Sequence, residues 1–187
     1  MKNNIYNIII VVFGEITKNT AENIAYALVQ SIQEKKDIIF LIDSGGGDGQ
    51  HVRACAQLMK AVKNLGHKVI TICLGSAYSA AAMLLMAGSK GYRYAVDEAR
   101  IMIHHGDYTF PVPSLNSNTM EHVKKEQEFC CDFIKSHTNC SREQIEIWLS
   151  GRDTYFDVKQ ARSLGIIDHI GIGLPTIAQT SNGNEVL

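Results

Sequence analysis

A hydroxyl at the start of a helix, a run of glycines after a strand and two histidines closing another strand are the groups in this chain placed to do chemistry. Ser79 stands in GSAYSAAA, where an apolar strand gives way to helix formers. Its hydroxyl there lies among helix N-terminal amides that lack partners within the helix, so an anion forming beside it would be stabilised. The same position suits a plain N-cap, in which the hydroxyl only accepts a bond from its own helix. SGGGDG, also after a strand, presents backbone amides with no side chain in the way and suits an oxyanion or a phosphate. The phosphate reading is weak: no Lys-Ser or Lys-Thr pair follows, and a G-x-G-x-x-G frame begun at Gly45 meets Gln50 where glycine is required.

IMIHHG ends a strand with His104 and His105, and a side-chain period of two sends them to opposite faces, so one of them can join a given site. Diverging neighbours make poor metal ligands. No His-x-x-x-His or Cys-x-x-Cys spacing supports them, and neither a metal nor a cofactor is expected. His122 and Glu126 sit one helical turn apart and read as a solvated pair, while His51, His67, His137 and His169 read as surface residues. Asp153, in GRDTYF, has the setting of a turn carboxylate.

The elements that must position these groups follow from periodicity. Ile8 to Phe13 is a first strand, and Asn19 or Thr20 caps a helix with apolar residues at Ala21, Ile24, Ala25, Leu28, Val29 and Ile32. Asp37 to Ser44 reads as a strand covered on both faces, and Gln50 to Leu65 as a helix stopped by Gly66. Strand, loop and helix recur at Val69 to Leu74, Gly75 to Tyr78 and Ser79 to Ala87. Strands are expected at Tyr92 to Val96 and Arg100 to His104, then a non-helical stretch with Pro111 and Pro113, and a long helix from about Thr119 to His137. Ser141 with Gln144 forms a capping box, and Asp157 starts a last short helix closed by Gly165. Repeated strand–helix units of this kind imply an α/β fold with a largely parallel sheet.

A length of 187 residues fits one domain, spanning 1–187, and 45% hydrophobic with 20% charged residues supplies an ordinary core. Eighteen basic against nineteen acidic residues, with no single-sign block, argues against nucleic acid as a partner. Val69 to Ser89 carries no charge and is long enough to span a bilayer, but its change from β-branched residues to helix formers reads as a buried strand entering a buried helix. No membrane association is expected. Five cysteines without a paired spacing point to reduced thiols and a cytoplasmic setting.

From about Ile8 to Ile170 the chain resembles the proteolytic subunit of the Clp protease (ClpP), within the ClpP/crotonase superfamily. The motifs that carry the likeness are LIDSGGG, TICLGSAYSAAAMLLMAGSKGYRYA, ARIMIHHG and GRDTYFDVKQARSLGIID, in that order. The end of the chain, about 171–187, reads from its own residues as a loose tail. The resemblance implies a fold of repeated β-β-α units with a protruding handle helix, here about 106–138. It further implies a Ser-His-Asp serine peptidase, with Ser79, His104 and Asp153 on the three catalytic positions and the backbone N–H groups of Gly47 and Ala80 as oxyanion donors. The implied substrate is polypeptide, cleaved inside a homo-oligomeric ring, with a heptamer or stacked double ring as the family default.

Several departures accompany these matches. Only seven residues precede the first strand, where the family has a segment used in docking an ATP-driven AAA+ unfoldase. The usual S-P-G-G is S-G-G-G, a more flexible loop, and aliphatic Ile39 and Leu41 stand where aromatic docking residues are common. His105-Gly106 replaces the usual Gln-Pro. These changes leave the unfoldase partnership open. A crotonase-type acyl-CoA enzyme and a catalytically silent ring subunit are the alternatives. The first lacks evident acid–base glutamates and length for a CoA site, and the second gives no chemical reason to keep all three side chains. Self-association is expected from the long helix, whose Met120, Val123, Phe129, Cys130, Phe133 and Ile134 are more than one intrachain face needs.

Overall fold

The computed structural model describes residues 7–106, 117–151 and 153–172. Strand β1 (Ile8–Ile16), helix α1 (Lys18–Glu34), β2 (Ile38–Gly47), α2 (Gly49–Asn64), β3 (Val69–Tyr78) and α3 (Ala80–Met86) form the first half. There follow β4 (Arg93–Ala95), β5 (Arg100–Ile103), α4 (Ser117–His137), α5 (Arg142–Trp148), β6 (Thr154–Asp157), α6 (Val158–Ser163) and β7 (His169–Ile170). The sheet runs β1-β2-β3-β4-β7 with parallel pairing throughout, and β5 branches from β3 in parallel while pairing β6 antiparallel. The mixed α/β architecture with a largely parallel sheet is therefore as expected.

Strand parity sorts the apolar residues. Ile38, Phe40 and Ile42 on β2, with Val69 and Cys73 on β3, join the main core under the helices, where Ile24, Leu28, Met59 and Val62 meet them. Burying each large aliphatic side chain contributes roughly 1.5–3 kcal/mol. The opposite parity, Ile39, Ile70 and Ile72, forms a separate cluster with Leu41, Leu74, Tyr92 and Tyr94, drawn from strands and their ends alone. So β2 is covered on both faces as its continuous apolar run suggested, with helices on one side and, among the described residues, neighbouring strand residues on the other.

Two boundaries differ from the sequence reading for local reasons. Helix α1 is capped by Thr17, not Asn19 or Thr20, because Thr17 and Thr20 form a reciprocal capping box. The segment 75–78 continues β3 instead of looping, held by Ser76, whose N–H and hydroxyl both donate to Asp43 Oδ1 at 2.8 Å. The uncharged stretch from Val69 is a strand followed by the seven-residue α3, and no helix among the described residues is long and apolar enough to cross a membrane. Asp157 opens α6 with a capping box to Gln160, as anticipated. Residues 107–116 of the anticipated handle, including Pro111 and Pro113, and nearly all of the tail lie outside the described residues. Within α4, Cys131, Phe133 and Ile134 are buried in the chain, whereas Met120 stays exposed.

A buried ion pair ties the far edge together. Arg93, almost wholly enclosed, donates through Nε and Nη2 to both oxygens of Asp168, and through Nη1 to the carbonyl of His137 at the end of α4. Burial alone would raise the Asp168 pKa, but bonds and charge from Arg93 outweigh it and hold the carboxyl below its ordinary range. His137 is not a surface residue: it is half-buried, stacked on Phe133, and its Nδ1–H donates to the Phe133 carbonyl at 2.8 Å.

Candidate active site

The pairing register explains how residues distant in sequence meet. Tyr78 pairs with Met102 across β3 and β5, and the Ser79 N–H donates to the Met102 carbonyl at 2.8 Å, which sets Ser79 beside the end of β5. The antiparallel pair β5–β6 matches Ile103 with Thr154. Continued one residue further, the same register sets His104 opposite Asp153.

The side chains follow. Ser79 Oγ lies 2.8 Å from His104 Nε2, and Asp153 Oδ1 lies 3.2 Å from His104 Nδ1. A carboxylate can only accept, so it favours the proton on Nδ1 and leaves the Nε2 lone pair facing the serine hydroxyl. Of the two consecutive histidines, His104 is the one that meets Ser79. The Tyr155 hydroxyl donates to the other Asp153 oxygen at 3.3 Å and stacks edge-on against Tyr78. Partial desolvation and then the Asp153 charge raise the Tyr155 pKa, so it remains a donor.

Ser79 stands at the N-cap position of α3 but makes no capping bond. Its backbone has φ 52° and ψ −120°, a conformation costly for a residue with a side chain. A sharp strand-to-helix turn of this kind projects the hydroxyl out of the helix, toward the imidazole. The plain capping role left open by the sequence does not apply. The turn is supported from β2: Gly46, at φ 100°, packs so closely that an added Cβ would sit 2.8 Å from the Tyr78 carbonyl oxygen and 2.9 Å from Ser79 Cβ.

Gly47 and Ala80 line the same cavity as Ser79 and His104. The Asp48 N–H donates to the Ile16 carbonyl at 2.9 Å, and strand alternation turns the Gly47 N–H the other way, away from β1. Ala80 opens α3, where the first-turn N–H groups have no intrahelical acceptor. The cavity, about 650 Å³, also carries residues that sequence reasoning did not assign to a site, among them Arg53, Glu126 and Phe129. Glu126 is not solvated beside His122 but pairs with Arg53 across two helices. Cys130 also borders the cavity, and burial, then Glu126, raises its pKa, leaving a protonated thiol and a poor nucleophile. Asp48 caps α2 through the N–H groups of Gln50 and His51, and its second oxygen lies 2.8 Å from His51 Nδ1, so His51 is engaged rather than free at the surface.

The arrangement has the parts for acyl transfer: a hydroxyl with a base in contact, a carboxylate behind the base, and backbone amides at the same cavity. Sequence comparison bears on which chemistry it serves. A relative in Rhodopirellula baltica, named ATP-dependent Clp protease proteolytic subunit 1, is 32% identical over 173 residues, covering 90% of this chain and 74% of the relative. One in Carsonella ruddii, named ATP-dependent Clp protease proteolytic subunit, is 36% identical over 140 residues, covering 74% of this chain and 70% of its own length. The profile of the Clp protease family matches residues 2–173, which takes in every residue of the cavity described above, and the chain belongs to that family of peptidases.

Proposed function

We propose that the chain, as one peptidase domain over 1–187, cleaves polypeptides by serine chemistry with Ser79 as nucleophile. His104 Nε2 accepts the hydroxyl proton as Oγ attacks the peptide carbonyl and returns it to the leaving amine; Asp153 holds the imidazole tautomer and stabilises its cation. The N–H groups of Gly47 and Ala80 receive the charge developing on the carbonyl oxygen, where each such donor is worth about 3–4 kcal/mol in the transition state. Water activated by the same imidazole then releases the acyl group. The observation that carries this reading is the 2.8 Å contact between Ser79 Oγ and His104 Nε2 at a strained turn whose serine does no capping.

Subunits assemble into a ring around the site, with a heptamer or stacked double ring as the family form. Exposed Ile9, Val11 and Phe13 along edge strand β1, with Met120 on α4, support such contacts. Ile39 is buried within the sheet and Leu41 half-buried, and both are aliphatic; unfolded chains or short peptides are the substrates, with partnership to an AAA+ unfoldase left open. The five free thiols suit a cytoplasmic setting. The test is hydrolysis of a fluorogenic peptide by the assembled protein and its Ser79→Ala variant. A loss of at least ~10³-fold is expected; undiminished cleavage overturns the assignment.

A further inference from the structure

The cavity beside Ser79 is walled by apolar Met83, Phe129, Ile134 and Leu149 together with polar groups, among them a charged pair. Arg53 on α2 donates through Nη1 to both carboxylate oxygens of Glu126 on α4, at 2.9 and 3.1 Å. Its guanidinium carbon sits 3.5 Å above the Phe129 ring centroid, so the cation is held between a carboxylate and an aromatic face. Glu126 is the more enclosed partner, with its side chain 19% exposed against 36% for Arg53. The other ionisable side chains on the wall have separate duties: Asp48 caps α2, and His104 faces Ser79. The Arg53–Glu126 pair takes no part in the proton transfers proposed above, yet it borders the space beside the nucleophile.

A lone charge on a pocket wall draws substrate side chains of opposite sign, whereas a charge satisfied by its neighbour attracts neither sign. We propose that the Arg53–Glu126 pair is a charge filter for the pocket that receives the substrate side chain preceding the scissile bond. Closed on itself, it adds no net charge to the wall beside Phe129 and so favours apolar over acidic or basic side chains there. Opening it from either end releases the remaining charge to select its opposite. Glu126→Gln leaves the Arg53 cation over Phe129 facing the cavity; Arg53→Met leaves the Glu126 carboxylate. This inference rests on the peptidase reading of the site.

The experiment uses three fluorogenic peptides that differ only in having leucine, glutamate or lysine before the cleaved bond, with kcat/KM measured on the assembled protein. Glu126→Gln is expected to raise the glutamate-to-leucine ratio roughly fivefold or more, and Arg53→Met to raise the lysine-to-leucine ratio comparably. A merely structural tie between α2 and α4 would lower all three substrates together; unchanged ratios in both variants, with cleavage retained, overturn the filter and leave the peptidase reading intact. Should either single variant melt well below the parent, the double variant Arg53→Met/Glu126→Met, which frees no charge, takes its place. It is expected to keep the leucine preference, and a gain at glutamate or lysine in it overturns the filter. A parent protein that neither cleaves any of the peptides nor reacts at Ser79 with a fluorophosphonate defeats the peptidase reading itself.

Discussion

Three consecutive glycines, alike in the sequence, are predicted to respond differently to a single methyl group. At Gly46 an alanine Cβ would lie 2.8 Å from the Tyr78 carbonyl oxygen, 2.9 Å from Ser79 Cβ and 3.3 Å from the Ala80 nitrogen. Ordinary contact is about 3.5 Å or more, so the turn carrying Ser79 must retreat by roughly 0.6 Å. The obstructing atoms belong to a backbone pinned by the Ser79–Met102 hydrogen bond, and the retreat therefore displaces the hydroxyl relative to His104. A misplacement approaching 1 Å costs on the order of 10²-fold in rate. The positive φ of 100° adds strain of about 2 kcal/mol for alanine, or a fall of roughly 4–8 °C in Tm for a chain of this length. Gly47→Ala strikes the backbone of Ile16, to which Gly47 is paired, so it should cost more stability than Gly46→Ala by breaking the β1–β2 ladder. Gly45→Ala meets nothing within 4 Å and needs no positive φ, so both Tm and rate should stay near the parent. Peptide hydrolysis and thermal unfolding of the three variants, run side by side, read both quantities. A Gly46→Ala protein with parental activity, or a Gly45→Ala protein that loses it, would refute the claim that Gly46 sets the position of Ser79.

Other expectations rest on separate contacts. Tyr155→Phe removes the donor on Asp153 Oδ2 and should lower kcat/KM severalfold while shifting the acid limb of its pH profile, with Tm little changed; an unaltered profile denies Tyr155 a positioning role. Asp168→Ala strands the enclosed Arg93 cation and should cost about 3 kcal/mol in denaturant unfolding, whereas a cost under ~1 kcal/mol would mean that the pair is not holding the edge. Stability should also fall with acid in two stages. His137, whose pKa is lowered by burial and then by Lys63 and Arg93, contributes stability present above about pH 6.5 and lost as pH falls toward its folded value. Asp168, held low, contributes stability present above about pH 4 and lost as pH falls further. Thermal melts across pH check this, and His137→Gln should remove the upper stage alone.

What the sequence made legible was local. Ser79, His104 and Asp153 each lie at the end of a strand or in the turn beside one, and only the resemblance to the Clp protease family suggested their grouping. The offset that sets His104 opposite Asp153 is a property of β5–β6 pairing, which no single segment encodes. Gly75 and Ser76 read as a loop because both residue types favour turns; the carboxylate of Asp43, more than thirty residues earlier, overrides that preference by accepting from Ser76 and packing against Gly75. Glu126 was noticed for the wrong neighbour. Helical spacing pairs it with His122, but its partner Arg53 comes from another helix, and such a pairing appears only once α2 and α4 are placed together. The hydrophobic run of β2 signalled burial correctly without revealing that strand residues, and not a second helical layer, cover its outer face.

Treating the assembled protein with a fluorophosphonate and mapping the adduct by mass spectrometry tests the nucleophile directly. One covalent adduct on the peptide containing Ser79, lost in a His104→Ala variant that stays folded, is the result predicted from the 2.8 Å contact between them. An adduct on a different serine, or full labelling of Ser79 without the imidazole, would contradict it.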